Sequence, residues 1–574
     1  MSLTRRRALV AFATAAAGSA VFGRALASVA GSSPEVTDAM IREASWVSGV
    51  PLDEDKRKLL AKGLAQLQEG FAAMRAVAVD NAVPPALFFD ATPGAAAVAE
   101  TGAGTTAWSP RGGSRPKTDD DLAFASVGTI AGLLKSKKLS STELTKLYLA
   151  RLKRFDPKLL CAITITEELA LKQAEAADRE LSKGVWRGPL HGIPWGAKDL
   201  IAVPGYPTTW GSVPFKTQVR PEKATVAERL ERAGAVLVAK TAVGELAWGD
   251  VWFGGMTRNP WKIEQGSSGS SAGSASAVAA GLVGFAIGTE TWGSIVSPCT
   301  RCGVSGLRPT FGRVGRSGVM ALAWSMDKLG PIARSVEDLA LVFAAIHGAD
   351  PGDAASVTRP FAWPPRRDPK SIRLGFVPAL FDFDYTQWGE NDEERRQLAE
   401  WKEFDQRSLR TLRTLGYDLV PVELPGSHPV DPLQVILTAE AATAFDELTR
   451  SGRDGELVRQ VEQAWPNVFR QGQFVPAVEY LRANRIRTLV MRAMEEVFRK
   501  VDVYVVPSFG GDNLLRTNLT GHPAVVVPNG FGAADGTPTS LTFQGPLHGD
   551  DLVLAVAQAY QQATDFHRQR PPGF

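Results

Sequence analysis

The sequence predicts an α/β fold for most of the chain. From Asp121 onward, segments with helical periodicity alternate with short apolar runs that are typical of buried strands. The composition is that of a globular protein, with 44% hydrophobic and 22% charged residues in a chain of 574. This length could hold several domains, but the continuous alternation favours one large α/β domain over residues 121–574.

An export signal is predicted within residues 1–30. A basic stretch at residues 4–10 holds a twin-arginine pair, an alanine-rich apolar run continues to Phe22, and residues 25–27 offer a small-residue cleavage site. The apolar run is too short and too weakly hydrophobic to span a bilayer stably. The sequence therefore predicts twin-arginine export to the periplasm or beyond, without stable membrane insertion. A disordered basic N-terminus is the alternative.

Residues 34–120 are predicted to form a helical extension followed by a linker. After the acidic residues at 53–55, apolar side chains spaced by three and four form one helical stripe. The stripe consists of Leu59, Leu60, Leu64, Leu67 and Phe71. The prolines at 84–85 end this pattern, and residues 91–120 are rich in Gly, Ala, Ser, Thr and Pro, as a linker is.

The α/β domain is predicted to begin with a helix. Ser140 and Glu143 have the spacing of a capping box for a helix that runs to Leu152. The proline-containing segment 353–369 is predicted to be a long surface connection. The remaining predicted elements are a strand at 162–165, helices at 167–181 and 225–233, and strands at 235–239, 372–377, 419–422, 501–506, 524–527 and 541–543.

Charge and cysteine content narrow the possible functions. The 64 basic and 61 acidic residues give a net charge of +3, which offers no support for nucleic-acid binding. The three cysteines are too few for a disulfide scaffold. Cys299 and Cys302 have C-x-x-C spacing, which favours two buried thiols over a redox motif or a local disulfide, and there is no second pair to complete a zinc site.

Two runs of Gly and Ser stand out, at residues 266–281 and 288–298. Small residues let a backbone approach a ligand closely and direct several N–H groups to one point. A serine beside such a cradle can act as a nucleophile next to an oxyanion site. A flexible linker is the alternative, but the first run continues directly into the apolar stretch 277–287, as a loop entering a buried element would.

A serine nucleophile needs a base. Among the six histidines, only His191 lies in an informative local pattern. Residues 269–273 match G-x-S-x-G, but a polar, proline-broken segment precedes them where a nucleophile elbow requires a buried strand. Lys198 lies in the otherwise apolar stretch 192–200, and desolvation there would lower its pKa toward that of a neutral base. A salt bridge between Lys198 and Asp199 or a neighbour is the alternative.

Taken together, these motifs resemble the amidase signature hydrolases. The Gly-x-Pro-x-x-x-Lys-Asp element of that family is matched at residues 192–199, its serine-glycine element at 268–275, and its Gly-Gly-Ser-Ile element at 292–295. Residues 302–310 continue the similarity, which extends over roughly residues 125 to 570. The resemblance implies a single large domain whose mixed β-sheet core is covered by helices on both faces.

The resemblance also implies a Ser–cis-Ser–Lys triad. The apolar helix at 277–281 places the serine pair of the motif at Ser270 and Ser271, which puts Ser270 24 positions before Ser294, the usual separation in this family. Ser294 would be the nucleophile that becomes acylated. Ser270, in a cis peptide, would relay the proton to neutral Lys198, and Ser271 would support the cluster.

The backbone N–H groups of Thr291, Trp292, Gly293 and Ser294 would form the oxyanion hole. Water would then release the acid, with no metal or organic cofactor. Two departures from the family pattern affect this loop. Trp292 stands where the family mostly has Gly, and Glu290 and Val296 replace the usual Asp and Arg.

Three side chains are predicted to line the substrate pocket: Met256, Trp292 and Val296. Without the usual arginine, a substrate carboxylate would be desolvated beside the nucleophile without a partner, so neutral apolar substrates are expected. The alternative is that Val296 packs beneath the loop and that Arg258 or Arg301 reaches the site.

The leading hypothesis is an exported amidase that acts on small-molecule carboxamides. An esterase or carbamate hydrolase would use the same acyl-enzyme chemistry. A subunit that feeds ammonia to charged tRNA would need cytosolic partners, which the predicted export signal disfavours. A catalytically silent exported binding protein is the remaining alternative, and the retention of Lys198, Ser270 and Ser294 argues against it. The oligomeric state stays open.

Overall fold

The computed structural model describes residues 36–79, 83, 85–87, 108–110 and 113–574. The predicted export signal at residues 1–30 and most of the predicted linker at 91–120 lie outside these residues. The chain divides into two compact units. One comprises the described residues up to Pro85 together with Asp431–Ile486, and the other comprises Ala86–Val430 together with Arg487–Phe574.

The strands of the described chain are β1 (Ala162–Ile165), β2 (Pro194–Lys198), β3 (Val236–Thr241), β4 (Val251–Trp252), β5 (Gly255–Met256), β6 (Arg258–Asn259), β7 (Lys262–Gly266), β8 (Phe285–Glu290), β9 (Ser305–Arg308), β10 (Lys328–Ala333), β11 (Leu374–Phe376), β12 (Val420–Pro421), β13 (Val503–Pro507), β14 (Ala524–Phe531) and β15 (Pro538–Gln544).

The helices of the described chain are α1 (Asp38–Ser48), α2 (Glu54–Ala76), α3 (Asp119–Ala123), α4 (Val127–Lys135), α5 (Ser141–Leu159), α6 (Glu167–Ser182), α7 (Thr225–Arg232), α8 (Ala272–Ala279), α9 (Val296–Cys302), α10 (Val336–Ile346), α11 (Pro378–Phe381), α12 (Asp392–Thr414), α13 (Val435–Ala444), α14 (Asp446–Arg450), α15 (Trp465–Gly472), α16 (Ala477–Lys500), α17 (Asn513–Thr520) and α18 (Asp550–Gln562).

The second unit is built on an eleven-stranded sheet with the order β1-β3-β2-β8-β10-β9-β14-β15-β13-β11-β12. Strand β2 runs parallel to both β3 and β8, and β11 runs parallel to β12 and β13, whereas the other neighbouring pairs are antiparallel. The sheet is therefore mixed, and the predicted α/β fold class is confirmed.

Helices cover both faces of this sheet. Successive side chains of a strand point to opposite faces. In β8, Ile287 belongs to a hydrophobic cluster that includes residues of α10 and α18, and its neighbour Ala286 belongs to a second cluster that includes residues of α8 and α9. Strand β14 divides in the same way, with Val525 in the first cluster and Val526 in the second.

The four strands β2, β8, β9 and β10 were not among the predicted elements. They lie in the middle of the sheet, and every residue in them is buried. A strand that is buried on both faces shows no alternation of apolar and polar residues, and Gly and Pro interrupt these four sequences. Their sequences therefore carry no strand pattern.

Other predicted elements are largely present. The predicted helix at 34–79 is two helices, α1 and α2, because Gly49 ends α1 in a left-handed conformation with a φ of 63°. The helix predicted to end at Leu152 continues to Leu159 with Pro157 inside it. The segment 353–369 lacks helix and strand, as predicted, but Phe361 and Trp363 within it are buried in the core, so it is not wholly a surface connection.

The first unit is helical. Its helices α1, α2, α13, α14 and α15 come from the two chain segments that it comprises. Leu60, Phe71 and Met74 of α2 are buried, which accords with part of the predicted apolar stripe. None of the helices that the structure describes combines the length and the apolarity that crossing a membrane requires.

The capped start of α5 gives a stability prediction. The Ser140 hydroxyl accepts a hydrogen bond from the Glu143 amide at 3.0 Å, which satisfies a backbone group that has no partner within the helix. We expect Ser140→Ala to lower the free energy of unfolding by about 1 kcal/mol, measured by urea denaturation. Lys146→Ala, an exposed change in the same helix, is the control and should have little effect. Equal midpoints for wild type and Ser140→Ala would contradict this expectation.

Candidate active site

Lys198 is the last residue of β2 and is fully buried. Its Nζ atom donates to the hydroxyls of Ser270 at 2.8 Å, Ser271 at 3.1 Å and Thr289 at 2.7 Å. Burial lowers the pKa of Lys198 well below its ordinary value, although the charges of Asp327 and Glu290 act in the opposite direction. The geometry therefore places a lysine that is biased toward the neutral amine beside two serines.

The alternative of a salt bridge between Lys198 and Asp199 is wrong. Asp199 instead pairs with Lys240 of the neighbouring strand β3 at 2.6 Å and accepts hydrogen bonds from Thr209. Adjacent residues of a strand point to opposite faces, so Lys198 and Asp199 are directed into different surroundings. Lys240 neutralises the buried carboxylate, and Lys198 is left with hydroxyl and carbonyl partners.

Ser270 lies in the loop that precedes α8, and the peptide bond between Gly269 and Ser270 is cis. The loop is closely packed, since a Cβ atom at Gly269 would come within 1.8 Å of the Gly249 carbonyl oxygen. Only glycine fits this position without moving the backbone. The Ser270 side chain is buried against Lys198.

Ser271 joins the Lys198 cluster to strand β8. Its hydroxyl accepts from the Thr289 amide and donates to the Thr289 carbonyl, both at 3.1 Å. Its backbone N–H donates to the Ser294 carbonyl at 3.1 Å. Ser271 therefore contacts Lys198, β8 and the segment of Ser294, which is the supporting position expected from the sequence.

Ser294 lies in the turn that connects β8 to α9, and it is half-buried. Gly293 before it has a φ of 90°, a left-handed conformation that a residue with a Cβ atom adopts only with strain. Within the described part of the chain, the Ser294 hydroxyl makes no hydrogen bond. The structure thus brings Lys198, Ser270 and Ser271 into direct contact and ties Ser294 to them through the backbone.

Glu290 holds both ends of this turn together. Its buried carboxylate accepts from the amides of Ile295 at 2.8 Å and Val296 at 2.9 Å, from Asn518 at 2.8 Å, and from Arg308 at 2.9 Å. Burial raises the pKa of Glu290, but the Arg308 charge and the surrounding donors outweigh it, and the net pKa is lowered. The sequence marked Glu290 only as a departure from the family pattern.

The predicted substrate pocket needs correction. Val296 is 1% exposed and packs in the second hydrophobic cluster, so its side chain offers no free surface to a substrate. Its position two residues after Ser294 is the first turn of α9, which faces the core. Trp292 is 42% exposed, and Met256 is half-buried on strand β5.

A cavity of about 210 Å³ lies beside Thr289 and Thr291, the residues that flank Glu290. Its charged side chains are paired: Arg316 with Asp353 at 2.7 Å, and Asp327 with the Thr291 hydroxyl at 2.5 Å. No pattern in the sequence marks this cavity, because its wall is irregular chain without periodicity. Its apolar lining consists of Leu200, Ala247, Val319, Met320, Ala321, Leu322, Trp324 and Leu329.

The other candidate groups lie apart from this cluster. His191 contacts Glu180 and the Arg187 amide. Cys299 and Cys302 are buried free thiols, and Cys161 is a third. Among the residues that the structure describes, no three His, Cys, Asp or Glu side chains are grouped as metal ligands would be.

Comparison with known proteins places this geometry in a family. The model of the Amidase family matches residues 143–516. A glutamyl-tRNA(Gln) amidotransferase subunit from Chloroflexus aggregans (strain MD-66 / DSM 9485) is 35% identical over 495 residues, which are 79% of this chain and 99% of that protein.

Solved structures agree with this match. Peptide amidase from Stenotrophomonas maltophilia superposes with a TM-score of 0.67 and 31% identity, over 78% of this chain and 98% of that one. An amidase family protein from Bacillus anthracis str. Ames has a TM-score of 0.68 over 79% of this chain and 94% of its own, and at 24% identity it supports the fold alone. The chain belongs to the amidase family, the amidase-signature hydrolases of C–N bonds.

Proposed function

We propose that this protein hydrolyses small neutral carboxamides through an acyl-enzyme formed on Ser294. The observation that carries the proposal is the buried Lys198 amine, 2.8 Å from the Ser270 hydroxyl in the loop whose next residue is bonded to the Ser294 backbone. A serine hydroxyl is a weak nucleophile until a base removes its proton. A buried lysine with a lowered pKa supplies such a base.

In the acylation step, Ser270 passes the proton of Ser294 to the neutral amine of Lys198. The Ser294 oxygen then attacks the amide carbonyl carbon and forms a tetrahedral oxyanion. The C–N bond breaks as Lys198 returns the proton, through Ser270, to the leaving amine. Catalytic hydrogen bonds are often long in the absence of substrate, so the Ser270–Ser294 contact is expected to form when substrate binds.

The oxyanion is assigned to the backbone N–H groups of Thr291, Trp292, Gly293 and Ser294. The left-handed Gly293 and the Glu290 carboxylate, which fixes the amides of Ile295 and Val296, support this assignment because they hold the turn rigidly. Donors that are fixed in advance stabilise a developing charge without reorganisation. Water attacks the resulting ester, with Lys198 as base, and releases the acid.

The cavity beside Thr291 supports the preference for neutral apolar substrates. Its lining is mainly apolar, and Arg316, Asp327 and Asp353 are each engaged by partners within the protein. A carboxylate placed there would lose water without gaining a free cation. This argument replaces the one based on Val296.

Export through the predicted twin-arginine signal remains part of the proposal. An exported enzyme would act alone on its substrate, as an amidase can, whereas the amidotransferase relative carries the name of a subunit. Hydrolysis of simple amides by the isolated chain would support the amidase. A panel of matched amides, esters and carbamates separates it from an esterase or carbamate hydrolase, and absence of turnover on the whole panel would favour a silent binding protein.

Ser294→Ala tests the nucleophile. We expect turnover to fall by at least about 10³-fold, because the residue that forms the covalent bond is lost. We also expect loss of the covalent adduct with a fluorophosphonate, detected by intact mass. Ser267→Ala, a buried serine in the same run, is the matched control and should keep the adduct. Mapping of the adduct to Ser267 or Ser271 would contradict the assignment.

Lys198→Ala tests the base. We expect acylation to slow by about 10² to 10⁴-fold, the usual contribution of general-base catalysis. In the wild type, acylation should rise with pH as the ammonium group loses its proton, with a midpoint below the ordinary lysine pKa because burial lowers it. The variant should lack this rise. Equal activity of variant and wild type near neutral pH would show that Lys198 is structural.

Matched amide pairs test substrate polarity. We expect a higher kcat/KM for a neutral apolar acyl group than for its analogue with a carboxylate. Each methylene group that becomes buried should contribute about 0.8 kcal/mol, or roughly fourfold in kcat/KM. Initial rates at several substrate concentrations give both constants. A clear preference for the carboxylate member would refute this part of the proposal.

A further inference from the structure

Asp327 joins two parts of the candidate site. One carboxylate oxygen accepts from the Thr291 hydroxyl at 2.5 Å, and the other accepts from the amides of Leu322 and Ala323 at 2.8 and 2.9 Å. Thr291 begins the proposed oxyanion turn, and Leu322 lines the cavity. One buried carboxylate therefore contacts both the turn and the cavity wall.

The sheet register explains why these residues meet. Strands β8 and β10 pair antiparallel, with Glu290 opposite Lys328. Thr291 follows Glu290, and Asp327 precedes Lys328, so the two occupy the next cross-strand position beyond the paired ends. Residues opposite each other on antiparallel strands have side chains within contact distance. The contact is fixed by the central strands and does not depend on a mobile loop.

The turn is consequently held at two places. Glu290 fixes its far end through the amides of Ile295 and Val296, and Asp327 fixes its near end through Thr291. The cavity wall is anchored in a similar way. Arg316 pairs with Asp353 and donates to the Trp324 carbonyl at 2.6 Å, while Asp327 holds the two amides between them in the chain.

We propose that Asp327 is a positioning residue that couples the filling of the cavity to the oxyanion turn. The inference rests on the proposed function. A substrate group that fills the cavity presses on the wall at Leu322, and the shared carboxylate transmits this constraint to Thr291. Filling the cavity therefore aligns the oxyanion donors and raises kcat, in addition to any effect on binding.

Thr291→Val tests the coupling because it removes only the hydroxyl and keeps the shape of the side chain. Two neutral amide series are used, one lengthened on the acyl side and one on the amine side. In the wild type, kcat should rise several-fold with length in the series that reaches the cavity. In Thr291→Val, we expect kcat for the long substrates to fall about 10 to 10²-fold, because a displaced oxyanion donor costs about that much, while KM changes less than about threefold.

Further variants separate positioning from general loss of stability. Thr291→Ser restores the hydroxyl and should recover kcat to within about threefold of the wild type. Asp327→Ala should reproduce the selective loss of kcat if Thr291→Val proves difficult to fold. Thr166→Val is the matched control, since it removes a buried threonine hydroxyl that donates to the Leu237 carbonyl at 2.7 Å, outside the site.

Two outcomes would overturn the inference. One is an unchanged kcat in Thr291→Val, and the other is an equal loss of kcat for short and long substrates. Fluorophosphonate labelling of Ser294 distinguishes these from failure of the proposed function. If Ser294 is labelled and wild-type amide turnover is present while Thr291→Val behaves as wild type, only the coupling is wrong. If Ser294 is not labelled, the function itself is wrong.

Discussion

The burial of the Lys198 amine is the constraint on which the site depends. An ammonium group without a counter-ion is costly in a dry interior, and loss of its proton relieves that cost. The surroundings of Lys198 meet this condition, because its neighbours are hydroxyl and carbonyl groups, whereas the adjacent Asp199 is paired with Lys240. The strand that carries Lys198 thus separates a base from a salt bridge by alternation alone.

The turn after β8 shows how a departure from the family pattern is accommodated. Trp292 is exposed, so its ring places no demand on the interior, and the left-handed conformation falls on Gly293 instead. Glu290 replaces a shorter acidic residue, and its carboxylate forms an ion pair with buried Arg308 and accepts two amides of the turn. Removing either ionic partner would leave a buried charge uncompensated, which is strongly destabilising.

The sequence predicted the triad residues better than it predicted the elements that hold them. Lys198, Ser270 and Ser271 follow from motif spacing, and the structure brings their side chains into contact. The central strands β2, β8, β9 and β10 were missed, although one of them carries Lys198 and another leads to Ser294. A fully buried strand has no polar face, so its sequence lacks the periodicity from which strands are predicted.

By itself, the sequence determined the fold class, the family and the register of the serine pair, because these depend on short-range patterns and on spacing along the chain. Only the tertiary structure decided what surrounds those residues. It directed Val296 into the core, paired Asp199 with Lys240, and placed Asp327 against Thr291. These contacts join residues that are 36 or more positions apart, as the Thr291–Asp327 contact is, or depend on which face of an element points inward. Both are set by the packing of strands and helices, which local sequence does not encode.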